Sequence, residues 1–228
     1  MAHTIDELMA LVKSWATKGE SEAALLVLGA LLKKNKSYDI LEAYLEVVQK
    51  NNIGQAYNLH AQIISNSEEW NDFFVNLSDI EKAHLYEWNA QLAFTLKDEI
   101  AALDSLQRSA ALGRNTLSLR SLLTLLQCST KNFSEALNSY HQCLDLYFAP
   151  TLLSERMIGN FLKIENNKGF LQIDENFFVN LSMMLIVELS NKEKTRLIQH
   201  LSYVFPKRSW LLELQDFVSK ASENSPIT

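Results

Sequence analysis

Large apolar residues recur along this chain at intervals of three and four positions, with polar and charged residues between them. One such run occupies residues 132–150, where Phe133, Ala136 and Tyr140 fall on one side of a helix. Pro150 ends the run because proline lacks the backbone N–H that a helix interior needs. Similar runs predict helices over about residues 4–18, 20–32, 38–50, 54–64, 79–96, 98–112 and 116–127.

Residues at the ends of these runs predict where the helices begin and end. Three pairs have capping-box spacing, in which a Ser or Thr and a Glu three residues later satisfy backbone N–H groups: Thr4 with Glu7, Ser78 with Glu81, and Ser190 with Glu193. Gly19 and Gly113 follow the last positions of two runs, where glycine adopts the left-handed conformation that commonly ends a helix.

Residues 65–78 interrupt the pattern and contain the aromatic residues Trp70, Phe73 and Phe74. We predict a short extra helix here that fills a wider gap between two helical hairpins. The alternative is that the three rings form an anchor for a partner protein.

Beyond residue 150 the chain remains helical but less regular, with helices predicted over about residues 151–165, 174–189, 190–204 and 207–220. The second of these is apolar nearly all round, which predicts a central buried helix that is too short to span a membrane. We therefore divide the chain into a repeat array over residues 1–150 with an insertion at about 65–78, a C-terminal helical capping region packed on it over 151–220, and a flexible tail over 221–228.

Composition supports this all-helical interpretation. Six Gly and three Pro among 228 residues leave few positions for tight turns, which favours helices over strands. The net charge of −6 gives the chain no long-range attraction for nucleic acid. No basic and apolar leader opens the sequence, and its two cysteines do not make a disulfide framework, so we expect a cytoplasmic protein.

A small residue recurs in the second helix of each predicted hairpin: Ala24, Ala56, Ala102 and Ala136. Successive alanines are 32, 46 and 34 residues apart, and the middle interval exceeds the others by about the length of the 65–78 insertion. Two helices that cross closely need a small side chain at the crossing. The spacing therefore predicts stacked helical hairpins with a period of about 34 residues.

The last repeat resembles the tetratricopeptide-repeat (TPR) family. Its aromatic, small, aromatic, small and proline positions are matched by Phe133, Ala136, Tyr140, Cys143 and Pro150, although the proline lies two residues late. The repeat is degenerate, because Val12, Tyr44, Ala90 and Thr124 stand where the family has glycine. The resemblance covers about residues 4–150 and implies antiparallel helical hairpins stacked as a TPR-like right-handed solenoid, with a less regular helical C-terminal part. A related helical-hairpin solenoid fits the spacing almost as well.

In this family the first helices of the hairpins line a concave surface. The resemblance therefore implies a partner-binding groove lined by Met9, Lys13, Tyr38, Leu41, Leu45, His84, Glu87, Gln91, Ser121 and Leu125. Some members bind a C-terminal carboxylate there through Lys, Arg and Asn side chains, and Lys13 alone fits that role, so we exclude that mode. The mixed and weakly acidic lining favours an amphipathic or extended peptide.

No motif for catalysis or metal binding is present. His141 and Cys143 are two residues apart and therefore lie on different faces of a helix, and no Cys-x-x-Cys accompanies Cys128. No glycine-rich phosphate loop and no Gly-x-Ser-x-Gly turn occurs. We therefore predict no enzymatic activity, no metal and no cofactor.

The sequence thus predicts a non-catalytic scaffold or adaptor that binds a peptide or protein partner in a helical groove. Two alternatives stay open. In the first alternative, the chain is the N-terminal helical accessory domain of a larger enzyme such as a glycosyltransferase. In the second, it is a homo-oligomeric structural module such as a homodimer. We expect no nucleic-acid partner and no membrane span.

Overall fold

The computed structural model describes residues 5–65, 67–148 and 173–223. The described residues are 83% helical and contain twelve helices and no strand. The helices are α1 Ile5–Lys18, α2 Ser21–Lys34, α3 Tyr38–Asn51, α4 Ile53–Ile64, α5 Asn71–Asn76, α6 Asp79–Thr95, α7 Glu99–Ala111, α8 Leu117–Ser129, α9 Phe133–Phe148, α10 Glu175–Glu188, α11 Asn191–Val204 and α12 Ser209–Glu223. The predicted all-α class is confirmed.

Local sequence signals set several of these helix ends. Ser78 and Glu81 form the predicted capping box at the start of α6, and Ser190 and Glu193 form the one at the start of α11. Gly113 follows α7 with a φ of +86°, the left-handed region in which glycine avoids the clash of a Cβ atom. The predicted box at Thr4, the helix over 151–165 and the stop at Pro150 lie outside the described residues.

The described helices belong to two compact units, Met1–Arg114 and Asn115–Thr228, which we call unit 1 and unit 2. In unit 1, the helices from α1 to α4 pack in chain order, α4 packs on α6, and α6 packs on α7. The predicted crossing residues Ala24, Ala56 and Ala102 are completely buried. A larger side chain at these positions would force the helices apart, so the alanines permit the close pairing.

The 65–78 insertion contains the short helix α5, which packs on α4. Phe73 is 3% exposed and meets the ring of Trp70 edge-on at a centroid distance of 5.9 Å. Phe74 meets Tyr86 of α6 edge-on at 6.0 Å. These contacts are those expected of a helix that fills a gap between hairpins, and they leave Phe73 without a surface for a partner.

In unit 2, α8 and α9 form a hairpin, and α9 also packs on α10 and α11. Ala136 and Tyr140 of α9 are completely buried, as is Phe178 of α10. The Tyr140 hydroxyl donates to the Phe178 carbonyl at 2.8 Å and lies 2.7 Å from Ser182 Oγ. These bonds satisfy a polar atom that would otherwise be costly to bury.

The prediction that the helix over residues 174–189 is buried on all sides is wrong. Its apolar sequence predicts a helix buried on all sides, but Met183, Met184 and Val187 are 49, 48 and 60% exposed. One face of α10 packs on α8, α9 and α12, and the opposite face carries these three side chains. The predicted division at residue 150 falls outside the described residues and stays a prediction. The boundary between the two compact units lies in the sequence between Arg114 and Asn115.

Candidate functional site

Polar side chains of α3 and α6 meet in unit 1 at a position that the groove prediction names. The Tyr38 hydroxyl lies 2.5 Å from Nδ1 of His84, and Oε1 of Glu42 lies 3.8 Å from the same nitrogen. The spacing of four residues between Tyr38 and Glu42 puts both on one face of α3. Burial, reinforced by the Glu42 carboxylate, raises the pKa of Tyr38 well above its ordinary value. The phenol therefore stays protonated and can act as a hydrogen-bond donor.

Aromatic contacts on α6 and α4 fix the position of the His84 ring. The His84 ring stacks on Trp88, one turn along α6, with a centroid distance of 5.9 Å. Trp88 Nε1 donates to Gln49 Oε1 of α3 at 2.6 Å, and its ring meets His60 of α4 edge-on at 4.8 Å. His60 is completely buried, and burial, followed by the neighbouring His84, lowers its pKa to about 3. His60 is therefore neutral at physiological pH and belongs to the core.

An ion pair ties the end of unit 1 to α6. Arg114 Nε donates to Glu87 Oε2, and the exposed fractions of the two side chains are 27% and 5%. A buried carboxylate needs such a partner because the loss of its hydration costs several kcal/mol. Gly113 turns the chain back after α7, which lets Arg114 reach α6. The guanidinium stays partly accessible, and its positive charge acts on Tyr38.

The predicted groove residues have different environments. Tyr38, His84 and Gln91 are partly exposed, and Glu87 is buried in its ion pair. Leu41 and Leu45 are completely buried in the core of unit 1, so they offer a partner no surface. On α1, Met9 is partly exposed and Lys13 is exposed.

The last two predicted residues belong to unit 2. Ser121 is completely buried, and its Oγ lies 3.0 Å from Cys143 Sγ, so it is a core residue. Leu125 is partly exposed on the same helix, α8.

Sequence reasoning missed Glu42, Trp88 and Arg114. A signal for the first two was present, because Glu42 follows Tyr38 and Trp88 follows His84 by one helical turn. No local signal could pair Arg114 with Glu87, which is 27 residues away. Reversal of the chain after Gly113 brings the two side chains together.

The described residues offer little for other chemistry. Both cysteines are free and buried, and burial raises the pKa of Cys128 to about 11 and that of Cys143 to about 12, which makes both poor nucleophiles. No three His, Cys, Asp or Glu side chains within the described ranges converge so that they could hold a metal ion. Within those ranges, no helix has the length and apolar character needed to cross a membrane.

Comparison with known proteins gives a likeness of fold. No protein-family model matches the sequence, and no curated protein matches it. Two solved structures of MamA, a TPR-like helical repeat protein, each share 16% sequence identity with this chain. The first covers 97% of this chain and 96% of its own with a TM-score of 0.50; the second covers 96% and 99% with a TM-score of 0.49. The first of these likenesses shows that the chain has the all-helical repeat fold seen in MamA.

Proposed function

We propose that this protein is a non-catalytic scaffold that binds a protein or peptide partner on unit 1, and that the bound segment is basic. The binding surface would consist of the partly exposed side chains of α3 and α6, which we call the α3–α6 surface: Tyr38, Glu42, Glu46, Glu81, His84 and Gln91. Helices α3 and α6 are joined by the Tyr38–His84 and Gln49–Trp88 contacts, and the polar and aromatic side chains that they present suit recognition of a peptide. The position of this surface within the groove implied by the TPR resemblance supports the proposal.

The distribution of charge carries the proposal of a basic partner. Unit 1 has sixteen acidic and ten basic residues, whereas unit 2 has eleven of each, so the net charge of −6 belongs entirely to unit 1. Helices α3 and α6 each carry three acidic residues and one lysine. Those two helices therefore hold a net charge of −4, within which the Glu87 charge is balanced by Arg114. Such an acidic surface attracts basic segments and repels nucleic acid.

Crosslinking in the full chain tests the location of the partner. We expect p-benzoylphenylalanine at Gln91, on the α3–α6 surface, to capture a defined partner in the cells that make this protein. The same amino acid at Ile100, which is 84% exposed on α7, serves as the control. Equal capture at both positions, or capture at Ile100 alone, would contradict the proposed surface.

The variant Glu42→Lys tests the charge of the partner. It replaces an attraction with a repulsion, so we expect the captured partner to bind about tenfold more weakly, mainly through slower association at low salt. Glu22→Lys makes the same charge change at an exposed position on α2 and should leave the affinity within about twofold of the parent. Calorimetric titration measures the affinity of the partner for each variant. Equal losses of affinity in the two variants would mean that the net charge of the chain matters and the position of the acidic residue does not.

The exposed face of α10 favours a second candidate function, a homodimer joined through unit 2. Met183, Met184 and Val187 are about half exposed and adjacent on the helix, and exposed apolar clusters of this kind often mark interfaces. We expect light scattering of the full chain to give the dimer mass and Met184→Asp to give the monomer mass. A monomer at high concentration in the parent protein would exclude this candidate.

We also place the protein in the cytoplasm. Free Cys128 and Cys143, both buried, suit a reducing compartment.

A further inference from the structure

Two histidines join α9 to α11 in unit 2 through a direct contact between their rings. His141 Nδ1 lies 2.6 Å from His200 Nδ1, and the rings are stacked at a centroid distance of 4.9 Å with an angle of 15° between their planes. Two nitrogens this close require one proton between them, with one ring donating and the other accepting. The contact therefore depends on the protonation of both rings.

The carboxylate of Asp145 favours His200 as the donor in this bond. His200 Nε2 lies 3.0 Å from Asp145 Oδ1, so a protonated His200 can donate to Asp145 from one nitrogen and to His141 from the other. His141 is 8% exposed, and the described residues offer its Nε2 no hydrogen-bond partner. With His200 as the donor, His141 is the acceptor and must be neutral.

A second proton would remove the bond. If both rings were charged, each Nδ1 would carry a hydrogen, and the two N–H groups would face each other where one bond had been. Two positive charges at this distance repel strongly, because a buried site screens them poorly. Arg196 of α11 adds to the repulsion, and Asp145, one turn beyond His141 on α9, supplies the opposing charge.

The geometry points to the His141–His200 pair as an acid-sensitive contact, which holds α11 on α9 while His141 is neutral and releases α11 when both rings carry a proton. Loss of the contact would uncover Leu197 and Leu201, which are completely buried on α11. Acid would thus expose the apolar surface that the packing of α11 on α9 covers at neutral pH. This inference concerns unit 2 and is independent of the partner proposed for unit 1.

The expected pH range follows from the direction of the shift. Burial, and then the charges of His200 and Arg196, lower the pKa of His141 to about 4, from an ordinary value of about 6.5. The folded state thus binds this proton more weakly than the unfolded state does. The contribution of His141 to stability is complete above pH 6.5 and is lost as the pH falls towards 4.

Two spectroscopic measurements on the full chain test this inference. Carbon-detected spectra follow the His141 and His200 rings, and 5-fluorotryptophan at Trp210 reports on α12, because Trp210 is the single tryptophan of unit 2. We expect the Trp210 signal to change together with the protonation of His141, between pH 6.5 and 4. A dye that binds exposed apolar surface should brighten over the same range.

Two variants separate the contact from general acid unfolding. In His141→Gln the neutral amide still accepts from His200, so the change at Trp210 in this range should disappear. In His200→Gln, His141 still titrates but meets no second charge, so its titration should leave the Trp210 signal unchanged. The inference is overturned if His141 titrates near 6.5 in the parent protein, or if either variant keeps the parent's change at Trp210.

Discussion

Phe178→Ala is expected to destabilise unit 2 by about 3–5 kcal/mol, the range for removal of a buried aromatic ring. Phe178 is completely buried on α10, and its ring lies 4.6 Å from that of Tyr147 and 5.4 Å from that of Phe205. Removal of the ring leaves a cavity where α9 and α10 meet. Guanidinium denaturation of the full chain, followed through the fluorine resonance of 5-fluorotryptophan at Trp210, measures the loss.

Phe217→Ala is the matched control for this effect. Phe217 lies on α12 of the same unit but is 45% exposed, so its removal should cost within about 0.5 kcal/mol. A comparable loss in both variants would mean that the ring contacts around Phe178 do not support unit 2. A small loss in Phe178→Ala alone would mean that α10 closes over the cavity.

Arg114→Met is expected to destabilise unit 1 by about 3–5 kcal/mol, because it leaves the Glu87 carboxylate without its guanidinium partner. The Glu87 side chain is 5% exposed, so water cannot replace the lost partner. Methionine keeps most of the volume of the arginine stem, which separates the loss of charge from the loss of packing. Denaturation of the full chain, followed through the fluorine resonances of 5-fluorotryptophan at Trp70 and Trp88, measures the change.

Arg108→Met controls for the removal of an arginine from the same unit. Arg108 pairs with Asp104, but both side chains are more than half exposed, and such pairs contribute about 0.2–1 kcal/mol. In the double variant Glu87→Gln with Arg114→Met the buried charge of Glu87 is absent as well, so the double variant should be more stable than Arg114→Met. If the double variant is the less stable one, the Glu87 charge has a second partner that balances it.

Most of the helices could be predicted from local signals. The period of the apolar positions, the capping boxes at Ser78 and Ser190 and the glycine at residue 113 act within a few residues of the chain, so no tertiary contact is needed to read them. The positions of Ala136 and the three earlier alanines at helix crossings could also be predicted, because a close crossing restricts the size of the side chain. All four are completely buried, as predicted.

The candidate site was predicted only in part. The resemblance named Tyr38, His84 and Glu87, which the fold brings into one neighbourhood through Arg114 and Glu42. Leu41 and Leu45 were also named, although both face the core. A stripe of apolar positions shows that a helix is packed on one side. It does not show where on that stripe the neighbouring helix stops and solvent begins.

The amino-acid sequence alone therefore established that the chain is all helical and built of hairpins. The apolar period, the capping residues and the small residues at crossings each depend on residues within one or two helical turns of each other. The partners of the polar side chains depended on the packed helices instead. His141 and His200 are 59 residues apart, and Glu87 and Arg114 are 27 apart. Contacts across such separations follow from how the helices cross, and a buried charge or imidazole is stabilised by whichever partner that crossing supplies.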